Sequence, residues 1–345
     1  MRTVLITGGA GFFGELLKRQ VLAAGHQCVS IDLQPDFVTH PQLVSIQGDI
    51  RSRETMEQLL ERRRIDTIYH CATVLAHVAK DKEFLWTSNV DGTRNIAELA
   101  RQHQVKRVVF ISSNCLWAEN FHRPVTEEDI PRPAEIYGRS KWEGEKILLG
   151  YTDYFKVIIF RSPTIVDCGR LGLLSILFEF IDEGRKVWVV GGGHNVYQFI
   201  YAEDLVDACL KAMDYDQSAI FNIGSDDVKS FKAVYDYVIA RARTGARTAA
   251  LPKGPTLALM KLFYHLNLSP LGPYQYKMIA EDFMFDTSKI KKELGWKPTM
   301  TNEAMLYKAY EYYHENQADI RQRANVSAHK QPVKLGIIRL LKWLS

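Results

Sequence analysis

The sequence predicts an α/β protein on a doubly wound parallel sheet, and three observations predict it. The apolar run from Arg2 to Thr7 meets a glycine turn, Gly8 to Gly14, and a helical pattern starts directly after it. An acid, Asp32, closes the next apolar run, Cys28 to Ile31. Apolar and amphipathic runs then alternate through the first half of the 345 residues. Such alternation requires right-handed crossovers and hence a parallel sheet. The expected division is a sheet-bearing domain over 1–165, with some later segments returning to it. A smaller mixed α/β substrate lobe covers 166–329, and a basic amphipathic tail covers 330–345.

Each glycine of the turn has a separate task. Gly8 leaves the strand through dihedrals that a Cβ resists. Gly11 allows close approach of a pyrophosphate, and Gly14 lets the helix lie against the sheet. The backbone N–H groups at the helix start then hold phosphates. Strand before, helix after and Asp32 at the right distance make this a dinucleotide site rather than a plain turn.

The periodicity predicts helices over 11–24, 54–62, 84–102 and 137–149, with strands over 43–47, 67–71, 107–112 and 156–161. Ligands in such sheets sit at the carboxyl ends of strands. Asp32, Asp49, Ser112 and Ser113 stand just there. Beyond Pro163 the pattern loosens. Helices are expected over 173–183, 202–213, 231–243 and most of 301–322, with strands over 187–190 and 220–223. The apolar segment 257–268 reads as a helix, in the core by first preference, with the wall of the substrate pocket or a second membrane contact as the alternatives.

Composition narrows the function. A formal net charge of +4 gives no clustered basic face for nucleic acid. The five cysteines, Cys28, Cys71, Cys115, Cys168 and Cys209, are scattered without metal spacing, as buried thiols of a reducing compartment would be. The ten histidines are scattered too, so no metal is implied. The chain opens on a strand and holds no bilayer-length apolar run, so the expected location is cytoplasmic.

Tyr137 and Lys141 share one helix face, a turn apart. An ammonium near a phenol favours the phenolate and yields a base usable near neutral pH. Such a base takes the proton of an alcohol as a hydride leaves.

With these residues, the chain resembles the extended short-chain dehydrogenase/reductase family, in its NAD-dependent epimerase/dehydratase branch. The resemblance is carried by Thr7 to Gly14, Gly48-Asp49, Asn89 to Thr93, Ile111 to Ser113, Tyr137 to Lys141, Phe199 to Leu205, Phe221 to Gly224 and Leu294 to Pro298. It implies a Rossmann-type sheet, bound NAD and the catalytic residues Ser113, Tyr137 and Lys141. It implies cofactor contacts from Gly8, Gly11, Phe12, Phe13 and Gly14, then from Asp32, Asp49, Ile50, Cys71, Ala72, Asn89 and Ser112, and from Tyr137 and Lys141. Asp32 would accept the adenosine ribose hydroxyls and repel a 2′-phosphate, favouring NAD over NADP. A homodimer through the helices holding Asn89 and Tyr137 is expected by resemblance alone.

Departures from the family pattern bear on substrate. Trp117 stands where Tyr is usual. Asn114 and Cys115 replace the Asp-Glu pair of dehydratases, which argues against 4,6-dehydration. Tyr197 stands where an arginine usually clamps a diphosphate, and a second arginine before Phe283 is not visible. Arg161 is present, with Ser162 in the usual asparagine position. Asn114, Trp117, Arg161, Thr164 and Tyr197 are the candidate substrate residues. Without two bidentate donors, a free nucleotide diphosphate would be held weakly.

The leading expectation is sugar 4-epimerisation by transient oxidation, on a nucleotide- or lipid-linked sugar. The alternatives are a 3β-hydroxysteroid or other lipid alcohol dehydrogenase, and a non-catalytic NAD-binding regulator. The tail sets Ile337, Leu340, Leu341, Trp343 and Leu344 on one face and Lys334, Arg339 and Lys342 on the other. It suits either a peripheral contact with an anionic membrane surface or docking on protein.

Overall fold

The computed structural model describes residues 1–75, 81–117, 121–266, 272–322, 330 and 342. In chain order the first half runs β1 (Thr3–Thr7), α1 (Phe12–Ala23), β2 (Gln27–Asp32), β3 (Leu43–Gln47), α2 (Arg53–Glu61), β4 (Thr67–His70) and α3 (Lys82–Trp86). A π-turn over Thr87–Asp91 joins α3 to α4 (Gly92–Gln102), and β5 (Arg107–Ser113), α5 (Ile136–Leu149) and β6 (Lys156–Ser162) follow. The second half runs β7 (Thr164–Val166), α6 (Leu174–Asp182), β8 (Lys186–Val190), β9 (Phe199–Tyr201), α7 (Ala202–Ala212), β10 (Ala219–Asn222), α8 (Phe231–Ala242) and β11 (Arg247–Leu251). Helices α9 (Lys253–His265), α10 (Pro273–Ala280), α11 (Ser288–Leu294), α12 (Asn302–Glu315) and α13 (Gln317–Gln322) complete it.

Seven parallel strands form one sheet in the order β10-β6-β5-β4-β1-β2-β3. The chain winds one way from β1 to β3 and the other way from β4, so the order reverses between β1 and β4. A crevice opens at such a switch point, outside the strands' carboxyl ends. Side chains alternate across the sheet. Val4, Ile6 and Tyr69 pack under α1 and α7, while Leu5, Ile68 and Phe110 pack under α2, α4 and α5. Both faces are covered, which explains the unbroken apolar runs of these strands.

The lobe has its own core around Phe178, Phe231, Tyr310 and Tyr313. Two short parallel pairs, β7 with β9 and β8 with β11, support it. The chain then returns to the sheet: α7 packs on α1, and β10 pairs with β6. The sequence reading lacks β7, β9, β11, α10 and α11.

One expectation is overturned outright. The segment 257–268 was expected in the core, yet no residue of α9 is buried. Residues 267 and 268 lie outside the described residues. So does most of the tail, 331–341 and 343–345. Lys330 and Lys342 are described: the first pairs with Glu15 beside the glycine turn, the second with Glu179 and Glu183 at the end of α6. Among the described residues no helix is long and apolar enough to cross a membrane.

Candidate active site

The glycine turn is packed to the limit. Gly8 has φ +74°, and its N–H donates to the Ile31 carbonyl at 2.8 Å. A Cβ on Gly14 would fall 2.1 Å from the Gly8 carbonyl oxygen, backbone that cannot yield. Beneath the turn, the wholly buried Lys18 ammonium donates to the Gly9 carbonyl at 3.0 Å and pairs with Asp36. Burial alone would raise the Asp36 pKa, but bonds from Lys18, Val38 and Ser45 hold it below its ordinary value. The sequence reading missed this pair. Asp32 caps the turn from β2: its Oδ2 accepts from the Ala10 N–H at 3.0 Å and its Oδ1 from the Gln34 N–H at 2.9 Å.

A single cleft of about 490 Å³ runs from this turn across the strand ends into the lobe. Gly8, Gly11, Phe12, Phe13 and Gly14 line one end, with Asp32, Asp49 and Ile50 beside them. Asp49 is held by Arg51 through contacts of 2.8 and 2.6 Å. Cys71, Ala72 and Ser112 line the middle, and so do Ser113, Tyr137 and Lys141. Burial pushes the Cys71 thiol up to about 12, so it stays protonated at neutral pH.

Tyr137, Lys141 and Glu145 descend one face of α5, four residues apart. The hydroxyls of Thr73 and Ser113 act on the Tyr137 phenol and lower its pKa. Lys141 is buried; its ammonium donates to the Ile111 carbonyl at 2.9 Å and lies 4.7 Å from the Phe110 ring centre. Burial brings its pKa down to about 8. The expected electrostatics need correction. Burial, and then the neighbouring Cys115, raise the phenol above its ordinary value, and the hydroxyls of Thr73 and Ser113 and the Arg170 guanidinium act against them. The lysine is turned toward a carbonyl and a ring, while Arg170 lines the cleft from the lobe.

Asn89 does not line the cleft. It lies in the π-turn, where an inserted residue redirects side chains. Its Oδ1 accepts from the Val74 N–H at 2.8 Å, and its Nδ2 donates to the Val74 carbonyl and to Ser140, each at 3.0 Å. It therefore fixes the loop that carries Thr73 to Tyr137. Thr73 was missed because nothing in the sequence marks it. Ser112, although in the cleft, donates to Glu145 at 2.5 Å.

The substrate candidates divide. Asn114 and Thr164 line the cleft. Arg161, Trp117 and Tyr197 are buried outside its lining. Arg161 pairs with Glu145 at 2.8 Å, donates to the Glu127 carbonyl at 3.1 Å and lies under the Trp117 ring. Tyr197 stacks on Phe231 and accepts from the Asn114 amide at 2.5 Å. An aromatic cluster thus stands where the clamp was sought. The lobe end is walled by Leu173, Leu174, Phe231, Tyr235 and Met278, with Glu135, Arg170 and Gln275 as polar groups.

A turn that a Cβ would fill, a helix N-terminus and the fixed Asp32 carboxylate fit the two ends of a dinucleotide's adenosine diphosphate half. The family model of the NAD dependent epimerase/dehydratase family matches residues 4–224. An uncharacterized protein, y4nG of Sinorhizobium fredii, is 37% identical, with 99% of this chain and 86% of that protein covered. The human sterol-4-alpha-carboxylate 3-dehydrogenase, decarboxylating, is 25% identical, over 86% of this chain and 84% of that protein. The fold also matches the crystal structure of the UDP-glucose 4-epimerase of Thermotoga maritima with UDP-glucose. The TM-score is 0.76 at 22% identity, covering 91% of this chain and 99% of that one. The chain therefore belongs to the NAD dependent epimerase/dehydratase family, of the extended short-chain dehydrogenase/reductase type, and its cofactor is NAD.

Proposed function

We propose that the protein is a sugar 4-epimerase that transiently oxidises a secondary alcohol at Tyr137, the sugar being linked to a nucleotide or a lipid. The observation carrying this reading is the single cleft that joins the glycine turn, the Ser113–Tyr137–Lys141 group and the lobe wall. NAD, when bound, supplies the acceptor and later the donor of the hydride. The chain's residues manage the proton. Tyr137 Oη takes it from the substrate hydroxyl as the C–H bond breaks, and Ser113 Oγ bonds the same oxygen. Lys141 holds positive charge below the phenolate. In epimerisation the ketone turns over in the lobe, and Tyr137 returns the proton to the same oxygen. Asp32, Asp49 and Ile50 would hold the adenosine half, with Asp32 excluding a 2′-phosphate.

A second reading, a sterol- or lipid-type alcohol dehydrogenase, is favoured by one observation: Leu173, Leu174, Phe231 and Met278 make the lobe end largely apolar. The sterol relative supports it by its printed name. One assay separates the two. An epimerase converts sugar without accumulating reduced cofactor, whereas a dehydrogenase releases it in proportion to substrate. Conversion that survives Tyr137→Phe would refute both readings. Pairing of two copies through α4 and α5 belongs to the same proposal, and a monomeric mass by sedimentation would remove it.

A further inference from the structure

We propose that α9 docks on the surface of an anionic lipid bilayer. Helix α9 is the one long apolar segment of the described chain that buries none of its residues. Leu259, Leu262 and Leu266 are 50%, 52% and 55% exposed. Their spacing puts them on one stripe together with Ala258, and the packed side carries Leu257, Met260 and Phe263 instead. The segment lies beyond residue 224, where the family model ends.

Charge selects the occupant. From Lys253 to His265 the helix has no acidic residue and carries Lys253, Lys261 and His265. Lys253 pairs with Glu281 at 3.1 Å, and Lys261 is exposed. A leucine stripe bordered by Lys261, on a helix with no acid to oppose it, is the composition of an interfacial helix, lying flat with its apolar face among the lipid headgroups. A second copy of the chain fits less well. Thirteen helical residues span roughly 20 Å, so the stripe offers far less than the ~800 Å² per partner of a stable interface.

The packed side of α9 reaches the cleft through α10. The Tyr276 hydroxyl of α10 donates to the Met260 carbonyl at 3.1 Å, and Gln275 and Met278 of the same helix line the cleft. A Cβ on Gly272 would lie 3.4 Å from the Tyr264 ring and 3.8 Å from Glu135 Oε1, a cleft residue. A bilayer against the outer stripe of α9 therefore lies one helix away from the cleft lining. The docking stands apart from the redox proposal, because a Tyr137→Phe protein should still bind vesicles.

The test is flotation of the full chain with vesicles of equal parts phosphatidylcholine and phosphatidylglycerol. The full chain is expected to float with them and to stay behind with phosphatidylcholine alone. The double variant Leu259→Glu, Leu262→Glu should lose binding at least about tenfold, since two leucines no longer leave water. Both side chains are already exposed, so its thermal midpoint should not change. A chain ending at Gln331 should still float. Failure of the full chain to float overturns the proposal. So does a double variant that floats like the parent, which would assign binding to the tail. A double variant that falls from dimer to monomer in a chain that never binds vesicles overturns it in favour of a second copy.

Discussion

Tyr137 sits between opposing influences, and their balance sets when it can accept a proton. Burial and Cys115 raise its pKa; Thr73, Ser113 and Arg170 lower it. Removing the guanidinium should raise it further, because a cation favours the phenolate. In Arg170→Gln the rising limb of the pH–rate profile should therefore move to higher pH, by up to about one unit. A limb that stays put would show that Arg170 does not act on the phenol. Tyr137→Phe should lower turnover by about a hundredfold or more, while NAD affinity by titration changes little. One turn below Lys141, Glu145 serves structure. It holds Arg161 in a pair in which both side chains are less than 5% exposed. Glu145→Gln leaves that guanidinium buried with a neutral partner, and urea unfolding should show a loss of about 3–5 kcal/mol.

The glycine turn is an element whose sequence leaves little room for change. A methyl group on Gly14 meets the Gly8 carbonyl at 2.1 Å, so α1 must move off the sheet. Gly14→Ala should weaken NAD by more than about tenfold in calorimetric titration and lower the thermal midpoint. Unchanged affinity would mean that the turn is not the phosphate cradle. This element was legible because strand, glycines and acid all lie within thirty-two residues of the start. The sheet strands were legible for a similar local reason, since burial on both faces leaves apolar runs. The π-turn was not, because an extra residue in a helix leaves no mark on composition. Nor was the burial of Arg161, whose partner Glu145 sits on a different element. Helix α9 shows the converse error. An apolar run looks the same in sequence whether it faces a core or a surface, and here it faces outward. Short strands such as β7 and β9, three residues each, fall below any periodicity.

At the scale of the whole molecule, the two halves of the sheet are tied together under the cleft by His70. Its Nδ1 meets the Thr7 hydroxyl and its Nε2 the Thr93 hydroxyl, each at 2.8 Å, while its ring stacks on Phe110. One side chain thus joins β1, β4 and α4 at the switch point. Burial, with Lys141 nearby, brings its pKa down to about 3 from an ordinary 6.5. A lowered histidine favours the neutral ring in the fold, so its stabilisation is complete above pH 6.5. As pH falls below that value the unfolded chain takes up a proton that the folded chain refuses, and stability declines toward pH 3. Carboxylates held low, such as Asp36 and Asp49, start from 3.8 and give way in a more acid range. Glu127, raised by burial from 4.5, works in the opposite direction. The interval from pH 7 to pH 5 therefore reads the buried His70 together with His26, whose pKa burial also lowers, and the His70→Gln comparison isolates the share of His70. Unfolding free energy should drop by on the order of 2 kcal/mol across it, and less in His70→Gln, which keeps a polar group but cannot titrate. Equal slopes in the two proteins would mean that the tie between the sheet halves does not depend on an uncharged ring.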